Sequence, residues 1–276
     1  MRNALTAEFK FLYSLVLAAI LPFGLLLYFL PTQTASYWPW VIANPRSAML
    51  IGAVYIAAVV YFLLALKTND WYQVQADQGG LFIFLSVLVI ATMTDWDKFR
   101  PYYPTTLIWL AIYYGGPLFL PFIYRLQKER MKSITPGPDV PEPWAMWLVV
   151  RGIVYLTIFV IVLVFADAVS ALWPWATNSL ALRVFSAQIA LNGWRAIIIL
   201  KYGRDWQRQR MGSVMMVLLG LLQLGALAIG PTPYNWSSPL AILLPLMFLE
   251  WSLTSAALLY LHRKSGELAY VHPIRS

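Results

Sequence analysis

The sequence predicts an all-α integral membrane protein, eight transmembrane helices arranged as two parallel four-helix repeats. Three observations carry that prediction. The composition is 60% hydrophobic and 12% charged over 276 residues, far from the average of water-soluble domains. Eight apolar stretches are long enough, or nearly so, to cross a hydrocarbon core of about 30 Å, which takes roughly 20 helical residues. Finally, the chain repeats itself: Trp38-Pro39-Trp40 through Asp70-Trp71 returns without a gap as Trp173-Pro174-Trp175 through Asp205-Trp206, an offset of 135 residues. A fixed offset marks duplication of a whole structural unit.

The expected spans run from Phe11 to Leu30, Ser47 to Leu66, Gly79 to Thr94, Thr105 to Tyr124, Trp144 to Leu172, Leu180 to Leu200, Met211 to Gly230 and Pro239 to Leu261. They are solidly apolar and lack the period of two expected of membrane barrel strands, so helices are the spanning form. The third is the shortest, about 24 Å by helical rise, and would have to stand nearly upright. The first is too long for a signal-peptide core and has no clear small-residue cleavage site. It also has a partner in the duplication, the fifth stretch.

Lys and Arg fix the orientation. With eight spans both termini share a side, and that side collects fourteen cationic residues, among them Lys67, Arg125, Lys128, Lys201, Arg204 and Arg208. The opposite side holds Arg46, Lys98, Arg100 and Arg183. Cationic loops are retained in the cytoplasm, so the termini are expected there, in a bacterial inner membrane. The formal net charge of +8 is therefore a topology signal and does not point to nucleic acid, for which no basic, aromatic-interleaved module is present. The expected organisation is a first repeat over 1–132, a Pro-rich cytoplasmic linker over 133–143, a second repeat over 144–264 and a cytoplasmic tail over 265–276. Four spans per repeat is an even number, so both copies insert the same way round.

The Trp-Pro-Trp clusters, the Asp-Trp turns and the segment Thr94-Asp95-Trp96-Asp97-Lys98-Phe99 together resemble a family of multi-pass bacterial membrane proteins carrying one or two such units. The resemblance implies a helical membrane protein and no activity or site residues. Taken alone, the Trp-Pro-Trp clusters read as aromatic belts at the outer headgroup level.

Glu250, mid-span in the eighth stretch, is the leading candidate for function, because an ionisable group inside the membrane is costly unless paired. Gln188, Asn192 and Arg195 follow at i, i+4 and i+7 on one helix face, and Gln223 lies at similar depth in the next span. Arg195 would serve Glu250 or an anionic ligand as a bidentate partner. At the repeat offset Gln188, Asn192 and Arg195 correspond to Ala53, Ala57 and Val60, so the polar stripe belongs to the second repeat alone. Arg151 reads as a snorkelling residue near the headgroups. Asp167 is expected to pair with Arg183. Asp95 and Asp97 in an outer loop are a weaker candidate for an interaction site.

The chain has no cysteine and two histidines, His262 and His272, so thiolate chemistry and haem ligation from within the bundle are excluded. Nucleophile-elbow, zinc-protease and phosphate-loop motifs are likewise missing. No metal or cofactor is expected, and a bound lipid is compatible with the apolar, aromatic surface. Three readings follow: an accessory or structural component of a membrane complex with other membrane subunits as partners, a small-solute transporter or channel with its polar site in the second repeat, and a membrane-embedded lipid-modifying enzyme.

Overall fold

In the computed structural model, residues 3–131 and 137–271 are described, with the backbone alone for 264–271. Most of the 133–143 linker before Gly137 and the last five residues of the tail lie outside that set. Eight long helices follow one another: α1 (Ala7–Phe29), α2 (Pro45–Thr68), α3 (Trp71–Thr94), α4 (Pro104–Glu129), α5 (Glu142–Val164), α6 (Ser179–Tyr202), α7 (Gln207–Ile229) and α8 (Leu243–Val271). Two isolated β-bridges, Trp40 with Phe99 and Asp139 with Asp205, are the extended pairings among the described residues.

Seven of these helices are long and apolar enough to cross a membrane, and the chain is an integral membrane protein. The exception is α6. It has 24 residues, as long as α2, but Arg183, Gln188, Asn192 and Arg195 dilute its apolarity. It is correspondingly enclosed, packed on α5 along one side and on α3 along another. The third span is longer than the sequence suggested, because an α-turn at Trp71–Val74 and a 3-10 turn at Gln75–Asp77 run straight into the helix. Asn69 closes α2 in the left-handed region, at φ 48°, and the Asp70 side chain accepts from Tyr72 N at 3.2 Å to start the next helix. Thr6, Asn44 and Asn178 cap α1, α2 and α6 in the same manner, each satisfying a backbone donor that the first helical turn leaves free.

Lipid offers apolar side chains no advantage in meeting each other, so close backbone approach becomes important for helix association. A Cβ on Gly52 would come within 2.7 Å of the Tyr28 nitrogen, and one on Gly193 within 2.6 Å of the Leu156 side chain. These glycines let α1 cross α2 and α5 cross α6 at short range. Between the halves, α2 packs on α7 and α3 on α6.

Loop contacts recur at the offset of 135. Trp71 N donates to Asn3 O at 2.7 Å and Trp206 N to Pro138 O at 3.0 Å; Arg100 N donates to Pro39 O at 2.9 Å and Asn235 N to Pro174 O at 2.8 Å. The Asp70 turn has its counterpart in Asp205, which accepts from Gln207 N at 2.9 Å. At one end of the bundle the α2–α3 turn lies beside the α6–α7 turn, where the Tyr72 hydroxyl donates to Asp205. At the other end Arg46, the second residue of α2, donates to the carbonyls of Ala226 at 3.1 Å, Leu227, Gly230 at 3.0 Å and Thr232 at 2.5 Å. A guanidinium there meets the negative end of α7.

The Trp-Pro-Trp clusters are not belts. Trp38, Trp40, Trp173 and Trp175 are all buried. Their loops fold back over the helix ends, held by the carbonyl bonds of Pro39 and Pro174, so the indoles plug the bundle. Trp40 stacks among Trp38, Phe99 and Trp109 at centroid distances of 4.9–5.2 Å, and Trp175 Nε1 donates to Ser47 Oγ at 2.8 Å across the two halves.

Candidate functional site

Glu250 sits on α8 with its side chain 25% exposed, facing α5. Its partner is Arg151, whose Nε lies 2.8 Å from Oε1 and whose Nη2 donates to Oε2 at 2.9 Å. Tyr155, one turn along α5, donates to Oε2 at 2.6 Å, and Thr254, one turn along α8, donates to Oε1 at 2.6 Å. Both carboxylate oxygens are thus occupied, by Arg151 and Tyr155 four residues apart on α5 and by Thr254 four residues beyond Glu250 on α8, the spacing that puts side chains on one face. Arg151 does not snorkel: its side chain is 4% exposed, and burial holds it on the carboxylate and on Asn192 Oδ1 at 3.3 Å.

The polar stripe of α6 does not converge on Glu250. Asn192 joins that cluster through Arg151. Gln188 accepts from Gln223 Nε2 on α7. Arg195 turns away altogether, its Nη2 donating to Gln209 O at 2.8 Å and to Ser213 Oγ at 2.5 Å. Gln188 and Arg195, two turns apart, both bond α7, and Asn192 between them bonds α5, so none of the three reaches Glu250 on α8 directly.

Asp95 and Asp97 also separate. Asp95 is buried at the end of α3, paired with Arg183 Nη1 at 2.5 Å, with Lys98, and with the Ser179 hydroxyl at 3.0 Å. Asp97 is exposed, so no two-carboxylate site forms. Arg183 also reaches Asp167, at 3.6 Å, as its place at the helix ends suggested, though that carboxylate is open to solvent. Burial alone would raise the Asp95 carboxyl; the hydrogen bonds and charges of Lys98 and Arg183 outweigh it and hold it below the usual carboxylate range. A carboxyl depressed in the folded state contributes stability above its unfolded value, about 4, and loses it as pH falls through the folded value. Acid titration of the melting temperature should therefore show a loss below about pH 4 that Asp95→Asn, already weakened at neutral pH, does not share; parallel curves for the two chains would refute the pairing.

The site that the residues build most completely lies elsewhere. A cavity of about 460 Å³ is bounded by α1, α2, α3 and α4, with α6 and α7 closing one end. Its walls are apolar, with Leu12, Val16, Phe84 and Ile112 among them. Leu15 of α1 and Phe119 of α4, which line its mouth, are 56% and 62% exposed, so it opens sideways between α1 and α4 towards acyl chains. At the closed end stand Asp77, from the first turns of α3, and Arg195. A methyl group on Gly212 would overlap the Arg195 guanidinium and come within 3.0 Å of Asp77 Oδ1, so both charges crowd one glycine. Asp77 Oδ2, Arg195 Nη1 and the Tyr61 hydroxyl, which faces Asp77, are buried without a hydrogen-bond partner. Trp194 Nε1 donates to Ala76 O at 2.7 Å, fixing the turn that presents Asp77.

No protein-family model, curated protein or solved structure matches this chain.

Asp77 and the pairing of Arg151 were missed by sequence reasoning, yet a signal for both exists. At the offset of 135, Asp77 and Arg195 correspond to Gly212 and Val60, and Arg151 and Glu250 to Val16 and Gly115. Charges lacking a counterpart occur here as couples of opposite sign. Where the second half carries its Arg151–Glu250 tie, the first half carries Val16 and Gly115, and both of these line the cavity.

Proposed function

We propose that this protein is an accessory component of a membrane complex, probing or supporting its partners through a lipid-like molecule held in the cavity between α1 and α4. We read it as two parallel four-span repeats, α1–α4 and α5–α8, eight spans in all, with both termini on the cytoplasmic side of a bacterial inner membrane. The loop bonds repeated at 135 residues support the repeats, and the length and enclosure of α6 support its counting as a span. The observation that carries the function is the lateral apolar cavity with two charged groups at its inner end, each keeping one buried atom without a hydrogen-bond partner. Pockets of roughly 300–1,000 Å³ with apolar walls and a few convergent polar groups are the usual form of a small-molecule site.

A transporter needs the polar stripe of Gln188, Asn192 and Arg195 gathered around Glu250, and a lipid-modifying enzyme needs Glu250 together with Arg195. Glu250 is saturated by Arg151, Tyr155 and Thr254, and Arg195 belongs to a different cluster, so the second half acts as a rigid support. Native mass spectrometry of the full chain from mild detergent is expected to show one retained amphiphile per chain and a stoichiometric protein partner. A bare, monodisperse chain would overturn this reading.

A further inference from the structure

We infer that the occupant of the α1–α4 cavity is an uncharged amphiphile whose head carries a hydroxyl group, lodged between Asp77 and Arg195, with its apolar chain running past Val16 and Phe119 to the bilayer. This rests on the binding reading above and adds the chemistry of the head.

Three features select that class. The polar end holds one acid and one base, so it is already balanced, and a charged head would add an uncompensated charge among apolar walls. Three buried atoms at that end lack a partner: Asp77 Oδ2 accepts, Arg195 Nη1 donates, and the Tyr61 hydroxyl, which faces Asp77, can do either. A hydroxyl meets both charged groups at once, giving its proton to the carboxylate and offering a lone pair to the guanidinium, whereas an ammonium serves the first alone and a fully ionised phosphate the second alone. Depth agrees as well. Asp77 lies six residues into α3, about 9 Å by helical rise, from the end where the Asn69–Asp70 and Arg204–Asp205 turns meet. A head held there lies just beneath that leaflet's own headgroups, and its chain points to mid-bilayer as a lipid chain does.

Two sources share this chemistry, a glyceride and an aromatic quinol, and the probes distinguish them. The full chain in phosphatidylcholine nanodiscs, with empty nanodiscs as the blank, is titrated with dioctanoylglycerol, a decyl benzoquinol, dioctanoyl phosphatidic acid and decylamine. One or both hydroxyl probes should saturate at one per chain, the tighter naming the source, with phosphatidic acid and decylamine at least tenfold weaker. Asp77→Asn leaves Arg195 unbalanced and should move preference at least tenfold towards phosphatidic acid, a reversal that mere loosening of the fold would not produce. Gly115→Trp, at a position where the first added carbon meets only the Phe119 ring at 3.7 Å, should block every probe at an unchanged melting temperature. Phosphatidic acid or decylamine binding the unaltered chain as tightly as the hydroxyl probes would overturn the head assignment and leave the cavity reading standing. Absence of saturable uptake of any probe, or full uptake by the Gly115→Trp chain, would overturn the cavity reading itself. Should Asp77→Asn fail to fold, the panel on the unaltered chain and on Gly115→Trp still decides both.

Discussion

Arg151→Leu and Glu250→Leu are each expected to destabilise the folded chain by about 3–5 kcal/mol, because either change strands the opposite charge inside the bundle. The double replacement should lose far less than the sum, returning to within roughly 1–2 kcal/mol of the original, since two leucines of similar volume can pack where the ion pair stood. A double-mutant cycle read by denaturant titration in detergent isolates that coupling. Tyr155 and Thr254 donate to the same carboxylate and lose their acceptor in either Glu250 variant, which makes the Glu250 change the more damaging of the two. Additive single effects would show that α5 and α8 are held together by something other than this pair.

Trp40→Ala is expected to cost about 3–5 kcal/mol, the range for removing a large aromatic from a packed interior. Trp40 is fully buried and its ring meets three other aromatics, so its loss opens a hole that Trp38, Phe99 and Trp109 border and cannot close without moving two loops and helix α4. Trp236, on an exposed loop and 69% accessible, provides the comparison: Trp236→Ala should change stability by less than about 0.5 kcal/mol, as surface substitutions usually do. Equal effects at the two positions would return the Trp-Pro-Trp cluster to the headgroup belt.

The helices were legible in the sequence because each apolar stretch is close to membrane thickness, and the boundaries moved by little where a capping residue such as Asn44 or Asn178 precedes the stretch. The recurrence of loop bonds at 135 residues was legible because Trp-Pro-Trp and Asp-Trp mark loops whose backbone bonds close in the same way twice. What remained hidden was direction around the helix axis. Gln188, Asn192 and Arg195 share a face by spacing, but which neighbour each meets depends on three surrounding helices that no local pattern specifies. Arg151 looked like a headgroup residue for the same reason: distance along the chain measures depth and says nothing of whether α8 stands alongside with a carboxylate. Asp77 lies outside the apolar stretch that begins at Gly79, because the helix starts eight residues earlier, at Trp71, in a polar turn that hydropathy does not mark. The signal for Asp77 and for the Arg151 pairing lies in charges unmatched at the 135-residue offset, Asp77 against Gly212 and Arg151 against Val16.

The makeup of α6 has a consequence for how the chain is made. A segment bearing two arginines, a glutamine and an asparagine partitions poorly from the translocon into lipid by itself, since each such side chain opposes entry near the segment's centre. The apolar α5 leaves the ribosome first and meets α6 along its length, at Gly152 and Gly193. The Gly152 and Gly193 crossing thus gives the polar α6 an apolar neighbour that is already made when α6 emerges.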